Sequence, residues 1–250
     1  MVNYIKSNDT QFKLHYELGK IHWWLRTTNE LFFKTIRHYL PWGNSILDAG
    51  CGVGNLLFKI DNEYVTFGVD LSESALKFCK NNVLKSKLIC GNTERLPFCK
   101  DIFNAVLSLD VLYHLNVKDD ENALKEIYRV LLPGGYLFLH LPAYNFMYSS
   151  HDKIAHSVRR YTINQVKELL TRSDFEIIRL TYRVCFLFPF AFFKRKILRS
   201  DETSDLKSVP RWLNFLLEKI MYFENILVLR YNLPFGLSVF SVARKKGQRL

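Results

Sequence analysis

Ile46-Leu47-Asp48-Ala49-Gly50-Cys51-Gly52-Val53-Gly54-Asn55 is the stretch around which the chain is organised. Two apolar residues bring in a strand, a carboxylate follows, and glycines then alternate before a helical run, Leu56 to Ile60. Glycine accepts positive φ and lets a ligand approach the backbone. Such a turn between strand and helix is where α/β folds bind nucleotide-like ligands. Dinucleotide turns want G-x-G-x-x-G, and Asn55 stands where that pattern has its last glycine. Asp48 would repel a pyrophosphate but suits an ammonium group.

Outward from this turn, helices and strands alternate. Helical spacing runs through residues 11–39 and Pro41 stops it. Strands are expected at 45–49, 64–70, 87–90, 103–109, 136–141, 176–182 and 237–243. Helices are expected at 54–61, from the Ser72 cap to 82, at 119–131, from the Thr162 cap to 172, and at 211–229. The pattern predicts an α/β fold with a doubly wound, mostly parallel sheet. The chain reads as one domain over 1–250: a helical cap (1–42), a core (43–182 and 231–246) and a helical insert (183–230).

The 250 residues have 48% hydrophobic content, enough for a large core. Lys and Arg number 35 against 24 Asp and Glu, a net charge of +11. That balance favours nucleic acid, anionic lipid or phosphorylated substrates, or serves solubility alone. The five cysteines show no disulfide-like spacing, and a reduced, cytoplasmic setting is expected. The first ten residues are polar and carry no secretory pattern, and no apolar run reaches the ~18 residues needed to span a bilayer.

D-x-G-x-G-x-G at 48–54 is followed by Gly68-Val69-Asp70-Leu71-Ser72, by Gly91-Asn92-Thr93-Glu94-Arg95-Leu96-Pro97-Phe98, and by Phe103–Leu115 with Leu131-Leu132-Pro133-Gly134-Gly135. In this order the segments resemble the class I S-adenosylmethionine (SAM)-dependent methyltransferases of the type 11-like group. The resemblance implies a Rossmann-like, seven-stranded sheet with N-terminal lid helices, SAM as methyl donor and S-adenosylhomocysteine as product. It implies Asp48, Gly50, Gly52 and Gly54 against the methionyl portion, and Asp70 on the ribose hydroxyls. Leu71 and Thr93 would flank the adenine, Asn92 would face its amino group with Glu94 beside it, and Leu109 would lie by the sulfonium. Asn92 departs from the Asp common in the family, but its carbonyl still accepts.

The less generic stretches hold the acceptor candidates. In His22-Trp23-Trp24-Leu25-Arg26, Arg26 can grip a carboxylate and Trp24 can face a sulfonium, or the segment simply packs. Residues 143–161 leave strand five at the ligand edge. There His151 and His156, with His114 after strand four, are base candidates. Tyr113, Tyr144, Arg159, Arg160 and Tyr161 are substrate-binding candidates, and no metal site is expected. In the insert, Cys185–Phe193 runs into Lys194-Arg195-Lys196. Aromatics beside a basic cluster suit an anionic membrane surface, and equally a lid or a dimer contact. The expected function is methyl transfer to a small-molecule, lipid-linked or glycan acceptor, at a membrane surface or on a dissolved metabolite. No nucleic-acid partner is expected, and the chain is read as a monomer or homodimer. A non-catalytic binding protein on the same fold is the rival reading.

Overall fold

The computed structural model describes residues 8–82, 85–196 and 209–247. Two helices, α1 (Asn8–Ile21) and α2 (Trp23–Tyr39), lead into β1 (Ser45–Ala49). The chain continues through α3 (Leu57–Ile60), β2 (Val65–Asp70), α4 (Glu73–Asn82), β3 (Lys87–Cys90), β4 (Phe103–Leu109), α5 (Asp120–Val130) and β5 (Leu131–Pro142). Then come α6 (Ser150–Ile154), α7 (Ile163–Arg172), β6 (Phe175–Arg183), α8 (Phe188–Lys196), α9 (Arg211–Arg230) and β7 (Ser238–Lys245). The seven strands form one sheet in the order β3-β2-β1-β4-β5-β7-β6. Strands β1 to β5 pair in parallel, and β7 runs antiparallel between β5 and β6.

Side chains alternate across the sheet, as strand geometry requires. On β4, Val106 faces the α5 and α7 layer, with Leu124, Ile127, Val166 and Leu170. Its neighbours Ala105 and Leu107 face the opposite layer, with Leu31, Phe32 and Ile36 of α2. Strand order reverses between β1 and β4, so the loops leaving their carboxyl ends diverge and open a crevice there.

The expected strand and helix pattern is present, with four differences. The helix expected over 11–39 breaks at His22, which adopts an extended conformation and caps α2 by accepting from the Trp24 amide. The helix after the glycine turn is a single turn, α3. Strand β5 starts at Leu131 rather than 136, because Leu131 pairs with Phe103 ahead of a register shift. Residues 143–161 contain α6 and a 3-10 turn (Asn145–Met147) rather than loop alone.

Helix α9 is inverted relative to ordinary amphipathicity. Its acids and amides face the protein. Asn214 accepts from the Trp23 amide and donates to the Ile21 carbonyl, satisfying backbone groups at the α1–α2 break. Glu224, fully buried, accepts from the amides of Val184 and Phe186. Val184 is a β-branched residue at φ +63, a strained conformation that these bonds hold in place. The outward face of α9 instead carries Trp212, Phe215, Phe223 and Ile226, each more than half exposed.

Glu224→Ala removes the acceptor of two amides, so a loss of about 2–4 kcal/mol is expected in denaturant unfolding. Ile226→Ala, on the outward face of the same helix, should cost less than about 0.5 kcal/mol. Equal effects would contradict the inverted arrangement.

Candidate active site

The glycine turn follows β1 at the crevice. Gly50, Gly52 and Gly54 all have positive φ. A Cβ at Gly50 would collide with the Val111 side chain, whereas one at Gly52 would project into open space. The turn is therefore packed tightly on one side and open to a ligand on the other. Asp70, ending β2, accepts from the Gly52 amide at 2.8 Å and from the Ser72 amide at 2.9 Å, so its carboxylate ties this turn to the next one. Asp48 is buried beneath the glycines. Desolvation, reinforced by the Asp70 charge, pushes its carboxyl up to about 7. An ammonium placed against it would reverse that shift.

Leu71 is 47% exposed beside Asp70, an apolar surface on which a ring can lie. Thr93 is buried. The Asn92 side-chain oxygen accepts from the Glu94 amide at 2.9 Å. The Glu94 carboxylate accepts from the amides of Lys118 and Asp119, at 3.1 and 2.8 Å, and so pins the loop ahead of α5. Leu109 is partly buried at the end of β4.

Beyond the end of β4 lies a cavity of about 640 Å³. Its floor includes Asp110, Tyr113, His140 and the two tryptophans Trp23 and Trp24, and its roof comes from α8 and α9. The roof is mostly apolar, with Leu187, Phe190, Leu213, Leu216, Leu217 and Ile220, but Lys194 and Arg195 of α8 also line it. Asp110 sits at φ +59, and its carboxylate oxygen is 3.0 Å from His140 Nδ1. His140 is 1% exposed, and its Nε2 has no hydrogen-bond partner among the described residues. If Nδ1 donates to Asp110, the lone pair resides on Nε2. Burial pushes the Tyr113 phenol well above its usual range, with Asp110 and Asp152 adding to the shift, so it stays a neutral donor. The two sites adjoin at one step of chain: Val111 fills the space behind Gly50, and Asp110 lines the cavity.

Several sequence-predicted residues are engaged elsewhere. Arg160 is buried and grips Asp152 with two bonds, Nε to Oδ1 at 2.8 Å and Nη2 to Oδ2 at 3.0 Å, and donates to the Ala143 carbonyl. It rivets the 143–161 segment onto the end of β5, though its edge reaches the cavity wall. Arg159 is committed to the Val117 carbonyl and the Asp120 carboxylate. The Tyr161 hydroxyl donates to the Leu112 carbonyl and Asp120. Tyr144 stacks on Tyr182 at 5.0 Å between ring centroids. Arg26 points to α9, where it pairs with Glu218 at 2.9 Å. These contacts occupy the polar atoms that, in sequence, suggest a substrate clamp.

Of the base candidates, His151 lines the cavity. His156 is exposed at φ +50, with its ring 5.8 Å from that of His114. Burial lowers the His114 pKa, with the His156 charge acting in the same direction. Sequence reasoning overlooked His140, although a lone histidine within the apolar run Tyr136–Leu141 was a readable signal. Among the described residues no cluster of His, Cys, Asp and Glu could hold a metal ion, and all five cysteines are free.

The raised Asp48 pKa has a defined sign. The folded state holds a proton up to about pH 7, whereas the unfolded carboxyl releases it near about pH 4. Stability from this group is complete below the lower value and is lost as pH rises through the upper one. Asp48→Asn should therefore flatten the decline of unfolding free energy across this window. Parallel pH profiles for the two proteins would refute the assignment.

Residues 47–139 match the family described as a methyltransferase domain. A probable tRNA methyltransferase 9B of Homo sapiens is 34% identical over 100 residues, 40% of this chain and 21% of the relative. A fatty-acid O-methyltransferase of Mycolicibacterium smegmatis is 32% identical over 123 residues, 47% of this chain and 44% of the relative. The chain thus spans between about a fifth and under half of these relatives' lengths. A SAM-dependent methyltransferase structure from Thermotoga maritima superposes with a TM-score of 0.60 at 18% identity, covering 97% of this chain and 96% of that one. Residues 47–139 are a methyltransferase domain, and the chain around them has the seven-stranded class I fold of the SAM-dependent methyltransferases.

Proposed function

We propose that the chain transfers a methyl group from SAM to an acceptor with a large apolar body. The observation that carries this reading is the contact of the two sites at Asp110–Val111, with the glycine turn on one side and the 640 Å³ apolar cavity on the other. The turn fits SAM: it has an open face at Gly52, a buried carboxylate at Asp48 for an ammonium, a carboxylate at Asp70 for vicinal hydroxyls, and an exposed Leu71 for a ring. SAM bound there supplies a methyl already activated on a sulfonium.

The protein's own work is then alignment and exclusion of water. Asp70 accepts the ribose hydroxyls while holding the turn, Thr93 and Leu71 flank the adenine, and Asn92 faces its amino group. Tyr113 and the faces of Trp23 and Trp24 bound the space where the acceptor atom approaches. For a hydroxyl acceptor, His140 receives the proton at Nε2 and Asp110 stabilises the resulting imidazolium. His151, the other histidine on the cavity wall, is the alternative base. For an alkene acceptor, the aromatic faces stabilise the developing cation instead. The apolar lining favours a lipid-like acceptor over a dissolved polar metabolite. The net charge of +11 suits a nucleic-acid acceptor, as the name of the human relative indicates for that protein, and Arg160, Lys194 and Arg195 line the cavity, but its predominantly apolar wall fits an apolar body better.

Titration calorimetry with S-adenosylhomocysteine tests the cofactor half. Asp70→Ala should weaken binding by about 1–3 kcal/mol, and unchanged affinity would remove Asp70 from the site. Incubation of cell extract with methyl-labelled SAM tests the acceptor half. Label should enter the organic-solvent fraction and fall at least about tenfold with His140→Gln if a hydroxyl is methylated. Label confined to RNA or water-soluble metabolites would overturn the apolar acceptor.

A further inference from the structure

The outward face of α8 and α9 is apolar where water should meet polar groups. Phe190 is 74% exposed, Trp212 69%, Phe215 60% and Phe223 58%. On α9 the exposed positions 212, 215, 216, 219, 223, 226 and 230 form one stripe at helical spacing. Phe186 stacks on Phe223 at 6.1 Å between ring centroids, joining the stripe to the start of α8. Patches of this kind mark a surface that something covers.

The charges on this face select the covering phase. Lys194, Arg211, Lys219 and Arg230 are exposed along the two helices. The acids of α9, Glu218 and Glu224, are both buried, one paired with Arg26 and the other on backbone amides. Among the described residues α8 and α9 therefore present cations and aromatics with no exposed carboxylate. A two-fold contact with a second copy would set this face against itself and oppose like charges. An anionic bilayer satisfies both properties, since aromatics enter the acyl boundary while lysine and arginine reach the headgroups.

We propose that α8 and α9 dock the protein on anionic lipid bilayers, lying on the surface, with the cavity mouth turned to the lipid. No helix of the described residues is long and apolar enough to cross a membrane. Phe190 and Leu216 belong both to the exposed face and to the cavity lining, so the mouth of the cavity opens on the docking face. The route of the acceptor rests on the apolar-acceptor reading; the docking itself does not.

Flotation of the full chain with two kinds of vesicle tests this, one of phosphatidylcholine alone and one with added phosphatidylglycerol. The protein should float with the anionic vesicles at low salt, and added salt should weaken the association. Trp212→Ser and Lys219→Gln should each lower the bound fraction about fivefold or more, with thermal unfolding unchanged. Failure to float with anionic vesicles overturns the proposal, as does binding that survives both substitutions. A dimer in light scattering that dissociates on Trp212→Ser, without vesicle binding, would assign the face to a second copy. Calorimetry with S-adenosylhomocysteine on the same preparation separates the readings. Retained cofactor binding without flotation sinks the docking alone, and flotation without cofactor binding sinks the methyltransferase reading alone.

Discussion

A guanidinium with no exposure, that of Arg183, sits where β6, α2 and α9 meet. Burial lowers its pKa to about 10, partly offset by the charges of Glu224 and Asp110. A cation in that position must be surrounded by acceptors, because stranding it in an apolar interior costs several kcal/mol. Thr27, Thr28 and Asn225 supply them, with the Thr28 contact at 2.8 Å, and Asn225 in turn donates to the Thr27 carbonyl. The guanidinium also lies 5.8 Å from the ring of Trp24, on the cavity wall. The site's aromatic wall thus depends on a polar cluster buried behind it.

A second polar cluster does the same for the opposite wall. Arg160 and Asp152 fix the 143–161 segment, with the Asp152 carboxylate also accepting from the Ser149 amide at 2.8 Å. The chain then holds Tyr113 and His151 over the end of β4. Residues that read as ligands in sequence are the supports of this wall. The floor keeps Asp110, one residue past β4, and His140, inside β5, as a hydrogen-bonded pair with Nε2 of His140 unpartnered among the described residues.

The residues proposed for the cofactor are legible in sequence because they sit in short local motifs. Asp48 and Asp70 lie at the ends of β1 and β2, and the turn favours glycine, as the φ of +102 at Gly50 shows. The walls of the cavity are not local. Arg26 meets its partner almost the whole chain away, at Glu218, and Asn214 closes a helix break at His22. No periodicity within either segment encodes those pairings. A buried Arg160 and a free one have the same local pattern, and only the three-dimensional position of Asp152 separates them. The basic, aromatic character of 183–230 was legible, but the inward turn of its acids was not.

The inward polarity of α9 bears on modularity. The helix lies outside the matched core of 47–139, where an ornament added late to a self-sufficient enzyme would also lie. Its side chains nevertheless complete the backbone at Ile21, Trp23, Val184 and Phe186 and help to surround Arg183. A chain trimmed to a minimal catalytic unit would carry open helix ends and an unsheltered cation. The helix and the breaks it fills therefore depend on one another, and transplanting this cavity onto another fold of the same kind would require moving both.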